Sequence, residues 1–128
     1  MSAVVIGSER ANITLTRTTH NTELGYWSAA GSFCVGHLQG SFSTLVMSPE
    51  RFVDELEVMN RELAGDAALH GMDDDVSVSL KTRSLGTIGV EARVNDNQSF
   101  DAKINFEIDQ TYLTPLISAF KSSFLASP

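Results

Sequence analysis

Apolar and polar residues alternate without interruption in three stretches of the chain, at positions 76–81, 88–94 and 100–108. Strict alternation is typical of a strand that has one buried face and one solvated face. Turn-forming residues such as Gly, Ser, Asn and Asp separate the three stretches. We therefore expect three consecutive strands of an antiparallel meander.

The alternation also predicts the register between the last two of these strands. Buried-face residues must lie opposite buried-face residues, because a slip by one residue would turn every side chain to the other face. A three-residue loop at 96–98 satisfies this condition and also places opposite charges across the two strands. The predicted cross-strand pairs are Val94 with Phe100, Arg93 with Asp101, and Glu91 with Lys103.

A first helix is expected directly after Ser48, a favourable N-cap residue that is followed by Pro49 at the first helical position. Glu50 complements the positive end of the helix dipole. Apolar residues then recur at spacings of four, three and four, which predicts one buried stripe: Phe52, Leu56, Met59 and Leu63. Gly65 is expected to close this helix.

A second helix is expected near the C-terminal end of the sequence. Asp109 is predicted to cap a preliminary turn, because Pro115 would break a helix that ran continuously from Gln110. Thr114 as N-cap and Pro115 at the first position resolve this conflict, and the helix is expected to end near Leu125. Its apolar stripe comprises Leu116, Ile117, Phe120 and Phe124.

The first half of the chain has a less regular pattern, which indicates strands near 11–19, 25–35 and 40–47, with one more short strand allowed near Ala67–His70. No linker or repeat divides the chain, so we expect a single α+β domain over residues 1–128. The predicted architecture has two layers, an antiparallel sheet of about six strands with two helices on one face, in the order β-β-β-α-β-β-β-α. The residues expected to be buried are Phe52, Leu56, Met59, Leu63, Val78, Leu80, Val90, Ile104, Phe106, Leu116, Ile117 and Phe120.

Composition and charge exclude several classes of protein. Sixteen acidic residues against nine Lys and Arg give a formal net charge of −7, so the chain lacks the basic footprint that a nucleic-acid ligand requires. The apolar stretches are far shorter than the ~20 residues of a membrane span, and the sequence does not open with a signal-peptide pattern. The single cysteine, Cys34, cannot form an internal disulfide, which fits a reducing cytoplasm. We expect a cytoplasmic globular protein.

The sequence contains no pattern that indicates a metal, a cofactor or a catalytic mechanism. The histidines, His20, His37 and His70, lack the spacing of a helical metal pair, and Cys34 with His37 would provide two ligands at most. Cys34 is either a nucleophile without a recognisable motif around it or a small buried apolar residue. Nucleotide-binding and hydrolase motifs do not occur in the sequence. We therefore expect no metal and no cofactor.

The negative charge is concentrated in one segment. Residues 48–75 contain nine acidic residues and two arginines, whereas the remaining 100 residues contain seven acidic and seven basic residues. Three carboxylates are predicted opposite the apolar stripe of the first helix, where Arg61 is expected to neutralise Glu57. A run of three aspartates follows without the spacing of a calcium loop. Both groups are either solvated surface or contacts for a basic partner, so the candidate partner-binding residues are Glu50, Asp54, Glu57, Asp73, Asp74 and Asp75.

Three sequence segments carry a resemblance to a known family. They read F..ELEVMNRELAGDAAL, VSVSLKT...GTIGVEARV and FEIDQTYLTPLISAF, and they lie within residues 42–125. This pattern resembles the bacterial WapI-like immunity proteins, which combine a helix, a Leu-x-Gly-x-Ala-x-Leu segment, alternating strands and an Asp-Gln-Thr-Tyr-Leu helix start. The residues that fit are Leu63, Gly65, Ala67, Leu69, Asp109, Gln110, Tyr112 and Leu113. The resemblance implies a cytoplasmic protein that neutralises a cognate toxin.

The resemblance and the charge distribution together favour one function. We expect a non-enzymatic binding protein that neutralises a bacterial toxin through an acidic surface, and hence a basic protein partner. One alternative is an acidic secretion chaperone or another protein-interaction module. A second alternative is an orphan enzyme or a small-ligand carrier with a pocket between sheet and helices. Neighbouring genes discriminate these hypotheses, since a toxin gene supports the first and a secretion substrate the second.

Overall fold

The computed structural model describes residues 3–18, 26–71, 75–95 and 101–125. Over these residues the chain forms eight strands and two helices. In chain order they are β1 (Ala3–Gly7), β2 (Ala11–Arg17), β3 (Tyr26–Val35), β4 (Leu38–Met47), α1 (Pro49–Glu62), β5 (Asp66–Gly71), β6 (Val76–Thr82), β7 (Thr87–Asn95), β8 (Asp101–Asp109) and α2 (Leu113–Phe120).

The eight strands form one open antiparallel sheet in which spatial order follows chain order, and the two helices pack on it. The predicted α+β class and the antiparallel meander are confirmed, but the predicted count of about six strands is wrong. One additional strand, β5, coincides with the short strand that the pattern allowed near Ala67–His70. The other, β1, was not predicted, because its five residues bury only Val4 and Ile6 and give too short a pattern to recognise.

The register of β7 and β8 differs from the prediction by two residues. Val94 lies opposite Ala102 and Arg93 lies opposite Lys103, while the predicted partner Phe100 is outside the described residues. A shift by two residues leaves every side chain on its predicted face, so the alternation by itself cannot detect it. The predicted charge partners still meet along diagonals, at 2.9 Å between Arg93 and Asp101 and 3.2 Å between Lys103 and Glu91.

Helix α1 begins and ends differently from the prediction at both caps. Ser48 has a left-handed backbone (φ 46°) and makes no side-chain cap, although its carbonyl accepts the Arg51 N–H at 3.1 Å. At the other end Leu63, not Gly65, provides the left-handed residue that closes the helix (φ 59°), and its N–H bonds the Met59 carbonyl. The chain therefore leaves the helix before Leu63 reaches the core, and this predicted core residue is 62% exposed.

Helix α2 begins one residue earlier than the predicted N-cap at Thr114. Asp109 caps a preliminary turn as predicted, because its carboxylate accepts the Thr111 N–H at 2.9 Å. Pro115 then falls in the first turn of α2, where the backbone N–H groups have no partner within the helix in any case. A wider helical turn at Lys121–Leu125 continues the helix to the predicted end.

The core joins the inward faces of the strands to the buried sides of both helices. Three aromatic rings lie at its centre, with Phe120 in contact with Phe52 (5.0 Å) and with Phe124 (5.1 Å). All the predicted core residues are buried except Leu63 and Phe106. Phe106 is half-buried because it lies on β8, a terminal strand of the sheet, where its ring lies beside Gly7 of β1.

The shortest pairing between described neighbouring strands is that of β4 with β5. Among the described residues, which stop at Gly71 and resume at Asp75, these strands pair through Val46 with Gly71 and Met47 with His70, whereas β4 pairs with β3 along its whole length. We call this β4–β5 pairing the seam. Beside it, the Thr44 hydroxyl donates a hydrogen bond to the Asp75 carboxylate at 2.8 Å. Helix α1 packs against β5, the strand that follows it.

Candidate functional site

The exposed side of α1 carries a row of acidic residues. Phe52, Val53, Leu56 and Met59 turn one side of the helix into the core, which places the positions 50, 54, 58 and 62 on the opposite side. Glu50, Asp54 and Glu62 are exposed, and none of the ion pairs between described residues involves them. We call these three residues, with the intervening Val58, the acidic ridge.

A groove of about 320 Å³ runs beside the acidic ridge, between α1 and the start of β5. Its polar lining consists of four carboxylates, those of Asp54, Glu55, Glu62 and Asp66, and one guanidinium, that of Arg51. Its apolar lining is Val58, Met59, Ala64 and Gly65. This acidic groove therefore combines an excess of carboxylates with an apolar surface, to which Val58 of the acidic ridge contributes at 38% exposure.

Leu63 adds a second apolar contact at the end of α1. It is 62% exposed and holds a left-handed backbone at φ 59°. This conformation costs a residue with a side chain roughly 1–2 kcal/mol relative to glycine. This backbone conformation lets the Leu63 N–H bond the Met59 carbonyl and close α1, and it leaves the side chain exposed at this end of the helix.

Two acidic residues of α1 serve the fold instead of the surface. Glu55 accepts the Ala68 N–H of β5 at 3.1 Å and lies 3.9 Å from Arg51, so it satisfies a backbone donor at the seam. Glu57 pairs with Lys121 at 3.4 Å, which links α1 to the turn after α2. The prediction that Arg61 neutralises Glu57 is therefore wrong, because a distant lysine provides the cation.

The acidic run after β5 is described only at its last residue, since Asp73 and Asp74 lie outside the described residues. The Asp75 carboxylate accepts the Thr44 hydroxyl, and the Asp75 carbonyl accepts the Asn95 N–H at 2.7 Å. These bonds tie Asp75 to β4 and β7. The structure thus separates Asp75 from the acidic ridge and assigns it contacts within the fold.

The outward face of β7 and β8 is charged but balanced. Three ion pairs cross it, in which Arg83 contacts Glu107, Arg93 contacts Asp101 and Lys103 contacts Glu91, and each partner is at least half exposed. The hydrogen bonds from the Arg93 guanidinium hold the pKa of Asp101 below its usual value. Because each acid has a neighbouring base, this face presents less net charge to a partner than the acidic groove does.

The described residues contain no group of three or more His, Cys, Asp and Glu side chains that could hold a metal ion. Cys34 is half-buried, and its Sγ lies 3.8 Å from the Gly36 carbonyl oxygen. His70 lies on the exposed side of β5, and His20 is outside the described residues. Within the same described residues, no helix has the length and apolar character that a membrane span requires.

The structure places the predicted site residues on different parts of the surface. Glu50 and Asp54 lie together on the acidic ridge, whereas Glu57 and Asp75 are engaged elsewhere. Sequence reasoning missed Glu62 and Asp66, although Glu62 follows Asp54 by eight residues and thus falls on the same side of the helix. Asp66 could not be recognised, because only the turn after α1 brings it back toward the helix. No protein-family model matches the chain, and no curated protein matches it in sequence.

Proposed function

We propose that this chain is a non-enzymatic binding protein of the immunity kind, which neutralises a cognate bacterial toxin in the cytoplasm. The toxin would bind through a basic surface in the acidic groove. One observation carries the proposal: four carboxylates, one guanidinium and the partly exposed Val58 line the same groove beside the acidic ridge. The resemblance of residues 42–125 to the WapI-like immunity proteins supports the same function.

The chemistry of the groove favours a cationic protein surface as the ligand. The carboxylates of Asp54, Glu62 and Asp66, which take part in none of the ion pairs between described residues, attract Lys and Arg. A cleft that normally binds phosphate groups presents such side chains in a row. The apolar surface of the groove contributes through burial, which gives affinity that charge alone does not supply. Glu50 and Asp54 also repel each other at a spacing of four residues, a small cost in helix stability that a role in solubility does not require.

The first experiment identifies the partner by capture from the native host, followed by production of that partner as a purified protein. Its association rate with the chain is then measured across a range of salt concentrations. Docking in the acidic groove predicts a rate that falls steeply as salt screens the charges, with a Debye length of about 8 Å at physiological ionic strength. Docking on the balanced face of β7 and β8 predicts a nearly constant rate.

The second experiment reverses the charges of the acidic ridge. The triple variant Glu50→Lys, Asp54→Lys and Glu62→Lys is expected to slow association roughly tenfold or more without unfolding the protein, because these side chains are exposed. Glu57 is left unchanged because it pairs with Lys121. The control reverses the same number of acids on the sheet, Glu91, Asp101 and Glu107, and its fold is first verified by circular dichroism, because each of these acids has a basic partner. A rate that depends on neither salt nor the ridge variant, or that falls equally in the control, contradicts the proposal.

A further inference from the structure

We draw no further inference here: the strongest candidate, the pocket of about 290 Å³ beside the first turn of α1, lined in part by Ser48, Arg51 and His70, rests on a helix N-terminus alone, since these three side chains are exposed and nothing in the structure shows what binds there.

Discussion

Replacing Gly71 by alanine tests how the seam between β4 and β5 is held. A Cβ atom at this position would lie 2.2 Å from the Thr44 hydroxyl oxygen and 2.3 Å from Oδ1 of Asp75. Both atoms belong to the hydrogen bond beside the seam, so the added methyl group forces them apart. Gly71 is also one of the two β5 residues that pair with β4, and its backbone does not require glycine for its own conformation.

The expected loss of stability follows from two opposing contributions. Breaking a hydrogen bond to a carboxylate, with the Thr44 hydroxyl left buried, costs about 1.5–3 kcal/mol. Alanine also reduces the conformational freedom of the unfolded chain, which raises the free energy of unfolding by about 0.4–1 kcal/mol relative to glycine. We therefore expect Gly71→Ala to lower the free energy of unfolding by about 1–2 kcal/mol. Urea unfolding measures this value through the fluorescence of Trp27, the single tryptophan, over which the Arg17 guanidinium lies at 4.8 Å.

Gly89→Ala provides the matched control. Its Cβ would come equally close to a neighbour, 2.5 Å from Nε of Arg83, but that neighbour is the end of an exposed, flexible side chain that can move away. We expect Gly89→Ala to change stability by less than about 0.5 kcal/mol. In a Thr44→Ala background, Gly71→Ala should cost at least about 1 kcal/mol less than in the natural chain. Equal costs in both backgrounds, or an equal cost for the two glycines, would refute the reasoning.

Two further predictions concern the core and the dependence on pH. Leu56→Ala removes a fully buried side chain and should lower the free energy of unfolding by about 2–5 kcal/mol. Val58→Ala, on the exposed side of α1, should lower it far less. Similar losses for the two variants in urea unfolding would contradict the assigned helix faces. Hydrogen bonds from the Thr111 N–H and hydroxyl lower the pKa of Asp109 in the folded state. The stability that this carboxylate contributes is therefore present above its unfolded pKa of about 3.9 and is lost as the pH falls below that value. Asp109→Asn should accordingly make the melting temperature less dependent on pH in the acid range.

The candidate site could be predicted from the sequence only where it lies on one helix. Glu50 and Asp54 were recognised because a period of 3.6 residues determines which side of α1 is exposed. The same period does not reveal that Lys121 neutralises Glu57, or that Asp66 returns to form the acidic groove. Those contacts join residues far apart in the sequence, and each depends on how α1 packs against α2 and β5.

The pairing of β4 is a second feature that required the tertiary structure. Alternation identified strands near 25–35 and 40–47, and the structure places them at 26–35 and 38–47. No local pattern shows that, within the described residues, β5 pairs with β4 through Val46 and Met47 alone. The extent of pairing depends on where α1 returns the chain to the sheet, which is a property of the whole fold.

The sequence by itself determined the α+β class, the faces of most strands, the buried stripe of α1 and the turn capped by Asp109. Each of these depends on neighbouring residues, through a period of two or 3.6 or through a cap only two residues long. The tertiary structure decided the register of β7 and β8, the two-residue seam at Gly71 and the cation that pairs with Glu57. The physical reason is that a shift by two residues, or a change of distant partner, leaves every side chain on the same face and so leaves the local pattern unchanged.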